Sequence, residues 1–344
     1  MTTAAHPSAT PQEPDFSPQN PDPLKALQVF PYRQTFYPLG FPLELETTCQ
    51  EVLDAANQSW GEQSPITPSH LVSTAPPLKL RLGVTPSLSA PCPPTTVLRA
   101  HGHLLSIVAD QENSAVCDLT DGQAFAWVNQ SALANPAYLR YHFLEAIALC
   151  LLSATHVTPL HGACISLRGR GILLCGQSGA GKSSLAYACA RAAWTFTSDD
   201  ASYLLWNHPH PTVRGNAHQF RFRPSARTLF PEIAGHSLTP RTQGKPSIEI
   251  PARTFPELIL APESPIHAIV FLHRRPKSEA RLSLLPYEHV APYLEDTLFP
   301  LESVRRKQTP ALQGLFRIPA YRLSYDEFAP AIACLETLTL HPPS

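Results

Sequence analysis

The chain has 344 residues, 43% of them hydrophobic and 15% charged, with a net charge of −1 at neutral pH. That length allows two domains and that apolar share a sizeable core, while the balanced charge excludes a protein held to nucleic acid by bulk electrostatics. Proline is the outlier, at 38 residues, about twice its usual share.

Residues 1–29 are read as a disordered or extended tail. Prolines 7, 11, 14, 18, 21 and 23 there stand among small polar residues, which leaves little to bury. No apolar leader precedes them, so no secretory signal is expected. The eight cysteines include no C-x-x-C pair, and several, such as Cys150 and Cys175, sit in apolar runs. They read as reduced core thiols of a cytoplasmic protein. The most apolar stretch, 143–152, contains Glu145 and is too short to span a bilayer, so no membrane partner is expected.

A helix is expected somewhere in 43–60. Apolar and basic residues alternate in Leu78-Lys79-Leu80-Arg81-Leu82, which predicts a half-buried strand. Further strands are predicted over 97–109, 114–119 and, after an Asp121-Gly122 turn, 124–128. Together they suggest an antiparallel meander over 77–130. A helix follows, with Asn135 as its cap and Pro136 in its first turn. Its apolar stripe of Leu139, Phe143, Ile147 and Leu151 is explained by core packing, and no chemistry is assigned to it.

Six of the fifteen glycines fall between 162 and 181. Within that window stands Gly176-Gln177-Ser178-Gly179-Ala180-Gly181-Lys182-Ser183, the G-x-x-x-x-G-K-S pattern of a phosphate-binding loop. Glycines let successive backbone N–H groups turn toward phosphate oxygens. Lys182 is placed to reach the β/γ-phosphates and the Ser183 hydroxyl to ligate Mg²⁺, with Ser184 next on the helix. The apolar run 172–175 before the loop and the Ala-rich run 184–193 after it supply strand and helix, so the helix N-terminus faces the anion.

Helix 182–193 is about 18 Å long at 1.5 Å per residue, and a strand over 195–200 returns about 20 Å. Asp199 and Asp200 should therefore arrive beside the phosphates, where paired carboxylates can hold Mg²⁺ and take a proton from a hydroxyl. A solvated strand end is the competing reading. Upstream, 163–167 and 172–175 predict a β-hairpin around Arg168-Gly169-Arg170-Gly171. His161 then lies at its open end, facing the loop, and the nearby acids are expected to raise its pKa.

These residues together resemble the catalytic domain of the HPr kinase/phosphorylase family, whose fold is similar to PEP carboxykinase. The shared order is His161-Gly162, a strand pair, the loop 176–183, a helix, then Asp199-Asp200. The resemblance implies an ATP- and Mg²⁺-dependent kinase with Lys182 and the loop on the phosphates, Ser183 and Asp199 on the metal, Asp200 as general base and His161 tuning it. It also implies a second metal-binding segment, for which Ser247-Ile248-Glu249-Ile250-Pro251 is the nearest match, so Glu249 is a candidate ligand. Pro251 stands where the family has Arg, and Ser184 where it typically has Glu. HPr kinases are hexamers, which makes a homo-oligomer an open question.

Arg221, Arg223 and Arg227 could face a phosphate, a substrate or solvent; Arg274 and Arg275, after a strand over 266–272, form a second arginine pair with the same ambiguity. Further signals over 281–285 and 328–338 continue the second domain. The expected architecture is α/β: a mostly β N-terminal region, 30–134, followed by a PEP carboxykinase-like P-loop kinase domain with a mixed sheet, 135–344. Three functions remain open. One is a kinase acting on a hydroxyl of an unknown protein or small molecule. The others are a nucleotide-binding regulatory or assembly module, and a plain NTPase.

Overall fold

The computed structural model describes residues 28–63, 76–87, 93–239 and 246–340. Of the tail predicted over 1–29, residues 1–27 lie outside the described residues, as does Cys92. The fold is mixed α/β.

The first layer is a seven-stranded sheet ordered β1-β2-β3-β7-β6-β5-β4. Its strands are β1 (Tyr32–Phe36), β2 (Leu43–Thr47), β3 (Leu78–Thr85), β4 (Val97–His101), β5 (Leu104–Val108), β6 (Ser114–Asp118) and β7 (Gln123–Asn129). β4 to β7 form the predicted antiparallel meander. The run 97–109 is two strands, because Gly102 at φ +61° turns the chain in a conformation glycine adopts freely. β3 departs from the meander and pairs parallel to both β2 and β7. The cause is α1 (Gln50–Trp60), which makes a crossover from β2 to β3, and crossovers join parallel strands. The helix expected within 43–60 thus occupies only the second half. In the first half Leu43, Leu45 and Thr47 alternate as buried strand positions.

The predicted helix at Asn135 is three pieces. After α2 (Gln130–Leu133) come α3 (Pro136–Leu139), a π-turn over Arg140–Leu144, and α4 (Glu145–Thr155). Leu139, Phe143, Ile147 and Leu151 are all fully buried, in one core with the seven-stranded sheet and α1.

The second layer is a ten-stranded mixed sheet. It contains β8 (Val157–Leu160), β9 (Ala163–Leu167), β10 (Arg170–Cys175), β11 (Thr195–Ser198), β12 (Ser202–Leu205) and β13 (Thr212–Arg214). After a separate two-stranded ribbon of β14 (Gln219–Phe222) and β15 (Ile248–Pro251), it is completed by β16 (Ile259–Leu260), β17 (Glu263–Arg274), β18 (Arg281–Leu284) and β19 (Ala320–Tyr325). β9 and β10 form the predicted hairpin, turned by Arg168 and Gly169, both at positive φ. β10 lies between β9 and β17, and alternate residues enter two cores. Ile172 and Leu174 meet the side of α5 (Lys182–Arg191) and α8 (Phe328–Leu340). Leu173 and Cys175 meet the side of α6 (Tyr287–Glu295) and α7 (Glu302–Leu315). Burial on both faces explains why this strand reads as a continuous apolar run.

The described cysteines, 49, 117, 150, 164, 175, 189 and 334, are free thiols, five of them buried. No helix among the described residues is long and apolar enough to cross a membrane.

Candidate functional site

The loop 176–181 joins β10 to α5. Three glycines set its path: Gly176 at φ +144°, Gly179 at +90° and Gly181 at +95°, where a side chain would be strained. At Gly176 a Cβ would also come within 2.9 Å of the Ala180 Cβ. The first turn of α5 directs its unpaired N–H groups into the cleft beside the loop.

Lys182 is 6% exposed at the centre of the loop. Its ammonium donates to the carbonyl of Gly176 at 2.7 Å and lies 3.0 Å from His161 Nε2. Burial lowers its pKa, against the opposing pull of Asp200. A second clamp comes from α6. The Tyr293 hydroxyl accepts from the Gly176 N–H at 3.1 Å and lies 2.6 Å from the His161 carbonyl. Tyr293 is 117 residues from the loop, and no local pattern announces it.

β11 ends at Ser198 and delivers Asp199 and Asp200 to the loop, as predicted from the helix and strand lengths. Their environments differ. Asp199 is buried, its carboxylate accepts from the Arg221 backbone N–H, and its burial raises the pKa to about 7. Asp200 is half-exposed and lies 3.7 Å from His161 Nδ1. His161 therefore bridges Lys182 and Asp200. With Nε2 facing an ammonium, its proton belongs on Nδ1, toward the carboxylate. The expectation of a raised His161 pKa is overturned. Burial and the Lys182 charge lower it, and outweigh Asp200.

The Ser183 hydroxyl donates to the Asp199 carbonyl at 3.1 Å. That hydroxyl, that carbonyl and the Asp200 carboxylate form an oxygen-rich corner of the cleft. Oxygen donors of this kind suit Mg²⁺, which takes few protein ligands when phosphates supply the rest. Among the described residues no group of three or more His, Cys, Asp or Glu is placed to hold a metal on its own.

Glu249 is placed elsewhere. It sits on β15, opposite Arg221 of β14, and its carboxylate accepts from Tyr141 and from Gln219 at 3.2 Å, with Arg221 Nε at 3.5 Å. It does not line the loop cleft. Arg221 also reaches Glu145 at 3.7 Å, so one guanidinium joins β14, β15 and α4. Burial disfavours its charge, but Glu145 and Glu249 more than offset that, and its pKa is raised. Arg223 extends over the loop to Ser178 Oγ at 3.4 Å. Arg227 instead donates to the His236 carbonyl, Arg274 stacks on Phe328, and Arg275 turns to His273.

The π-turn explains how an ordinary core helix reaches this site. An extra residue in a helical turn re-aims side chains. Here Arg140, Tyr141 and Glu145 all join the polar network: Arg140 Nε donates to Ser59 Oγ at 2.8 Å, and Ser59 donates to Glu145 at 2.8 Å.

Two clefts result. One, of about 160 Å³, is lined by Ser178, Gly179, Gly181, Lys182, Ser183 and Ser184, with His161, Asp200, Arg221 and Arg223 around them. Gly176, Gln177 and Ala180 complete the loop behind it. The other, of about 100 Å³, lies beyond Asp200.

No family model and no curated protein matches the chain. Among solved structures it is similar to the Hpr(Ser) kinase/phosphatase from Coxiella burnetii, at 14% identity over 53% of this chain and 93% of that one, with a TM-score of 0.28. A likeness at that score carries no weight for the site, whose reading rests on this chain's own geometry.

Proposed function

We propose that the protein is an ATP- and Mg²⁺-dependent kinase that transfers the γ-phosphoryl group to a hydroxyl acceptor. The observation that carries this reading is the line Lys182–His161–Asp200: a buried ammonium inside a glycine loop, linked through one imidazole to a half-exposed carboxylate. Lys182, the loop N–H groups and Arg223 bind and orient the phosphates. Mg²⁺, when bound with the nucleotide at the Ser183 corner, supplies charge neutralisation. Asp200 accepts the proton of the attacking hydroxyl, and His161, with Nδ1 at 3.7 Å from that carboxylate, stands between it and Lys182.

The test is titration with Mg·ATP while γ-phosphate transfer is followed. Lys182→Ala removes the cation at the centre of the loop, and the expected result is loss of measurable nucleotide affinity and of transfer together. Retained affinity in Lys182→Ala would show that nucleotide binds elsewhere. Tight binding by the wild type with no product from any acceptor would favour a regulatory module.

A further inference from the structure

The second cleft shares only two lining residues with the loop cleft, Asp200 and Arg221. The proposed general base thus stands where the two cavities meet. At about 100 Å³ the second cleft is below the usual size of a drug-sized ligand site and has room only for a molecule of a few heavy atoms. Its apolar lining comes from Leu39, Trp60, Ala148 and Leu149. Its polar lining includes Ser59, Asn216 and Gln219, and its charged lining is Glu145, Asp199, Asp200 and Arg221, with Arg140 paired to Glu145 from behind at 3.4 Å. One wall is therefore built by the N-terminal sheet region and the π-turn helix, and the other by β14 and the corner after β11.

We infer that this second cleft is the acceptor site, and that the acceptor is a small alcohol, neutral or amine-bearing, rather than a protein side chain. The inference rests on the kinase reading above and names its substrate class. Position argues for the role: Asp200 lines both clefts, so a hydroxyl in the second cleft reaches the same carboxylate that borders the nucleotide loop. Charge argues for the class. Glu145 is paired with Arg140 and Arg221 and Asp199 is buried, so the half-exposed Asp200 is the carboxylate that faces an occupant; it disfavours an anionic acceptor and favours an ammonium or uncharged hydroxyls. The apolar floor adds room for a short hydrocarbon face. In the step, the acceptor oxygen bonds to the γ-phosphorus and the bond from that phosphorus to the β,γ-bridging oxygen breaks. ADP leaves, and the hydroxyl proton passes to Asp200 and then to solvent.

The experiment uses labelled Mg·ATP and a low-molecular-mass cell extract divided by ion exchange into cationic, neutral and anionic pools, with the extract's protein fraction run alongside. The full chain is compared with Leu149→Trp, which fills the cleft from a half-buried position, and with Asn216→Trp, which fills it from a loop should the first variant fail to fold. Label is expected in a low-mass phosphomonoester from the cationic or neutral pool. The filled variants should lower that transfer about tenfold or more while Mg·ATP affinity stays within about twofold. Label in the anionic pool or in protein, or transfer that ignores the filling, would overturn the acceptor assignment and leave the kinase standing. Nucleotide binding with no transfer to any fraction would overturn both.

Discussion

Lys182 was legible from sequence because phosphate chemistry dictates its surroundings: glycines on one side, a hydroxyl and a helix start on the other. Asp199 and Asp200 were legible for a similar reason, since a helix followed by a strand of matching length must return to its origin. The charge state of His161 was not. Its pKa is decided by burial and by the nearness of the Lys182 ammonium, and neither is a sequence quantity. A second histidine gives a pH test. His142 is 3% exposed and stacked on Tyr138, and burial lowers its pKa from 6.5 to about 4. The folded chain holds it neutral. Below its ordinary pKa the unfolded chain gains a proton that the folded chain refuses. Stability present above pH 6.5 is therefore lost as pH falls toward 4, by up to about 3 kcal/mol for this residue. His142→Phe keeps the stacking and removes the titration. Denaturant unfolding at neutral and mildly acidic pH should show a smaller acid loss in His142→Phe than in the wild type. An identical loss would place the acid sensitivity elsewhere.

At the scale of elements, β14 connects core and site. Phe220 and Phe222 pack against Tyr187 of α5, with ring centroids at 5.3 and 5.1 Å. Period 2 then puts Gln219 and Arg221 on the opposite side, where Arg221 meets Glu145 and Glu249. The sequence left Arg221 undecided because its partners, Glu145 and Glu249, lie 76 residues upstream and 28 downstream. The π-turn was illegible for a different reason: the Leu139-Phe143-Ile147-Leu151 stripe is buried as an ordinary helix would bury it. Arg221→Met leaves Glu249 without its cation, while Glu145 keeps Arg140 at 3.4 Å. Breaking a buried ion pair from one side costs about 3–5 kcal/mol, so the unfolding midpoint should fall accordingly. Arg221→Lys should recover part of the loss, since it restores charge but lacks the planar fork. Equal stability of Arg221→Met and the wild type would show that the network contributes nothing to the fold.

At the scale of the molecule, the two sheets are joined by polar contacts as well as by packing. Gln308 on α7 is fully buried; its amide donates to the Ser153 carbonyl at the end of α4 and accepts from the Phe299 N–H, both at 2.8 Å. Leu205 and Val304 from the second layer belong to the N-terminal core. The parallel β2-β3-β7 pairing and this junction were beyond sequence reading, because both depend on contacts far apart along the chain. With the junction buried, both layers should unfold in one transition. Gln308→Leu strands a backbone acceptor and a donor, each worth about 1–3 kcal/mol. It should lower a single midpoint; a split into two transitions would mean that the layers are stable independently.

The central claim is that Asp200, at the meeting point of two clefts, takes the proton of the acceptor while the loop holds the nucleotide without it. The most direct measurement is Mg·ATP affinity and phosphoryl-transfer rate in the wild type and in Asp200→Asn, side by side. The expected result is unchanged nucleotide affinity and a transfer rate lower by about 10²–10⁴, the usual contribution of a positioned general base. Equal turnover in the two proteins would contradict the account and remove Asp200 from the chemistry.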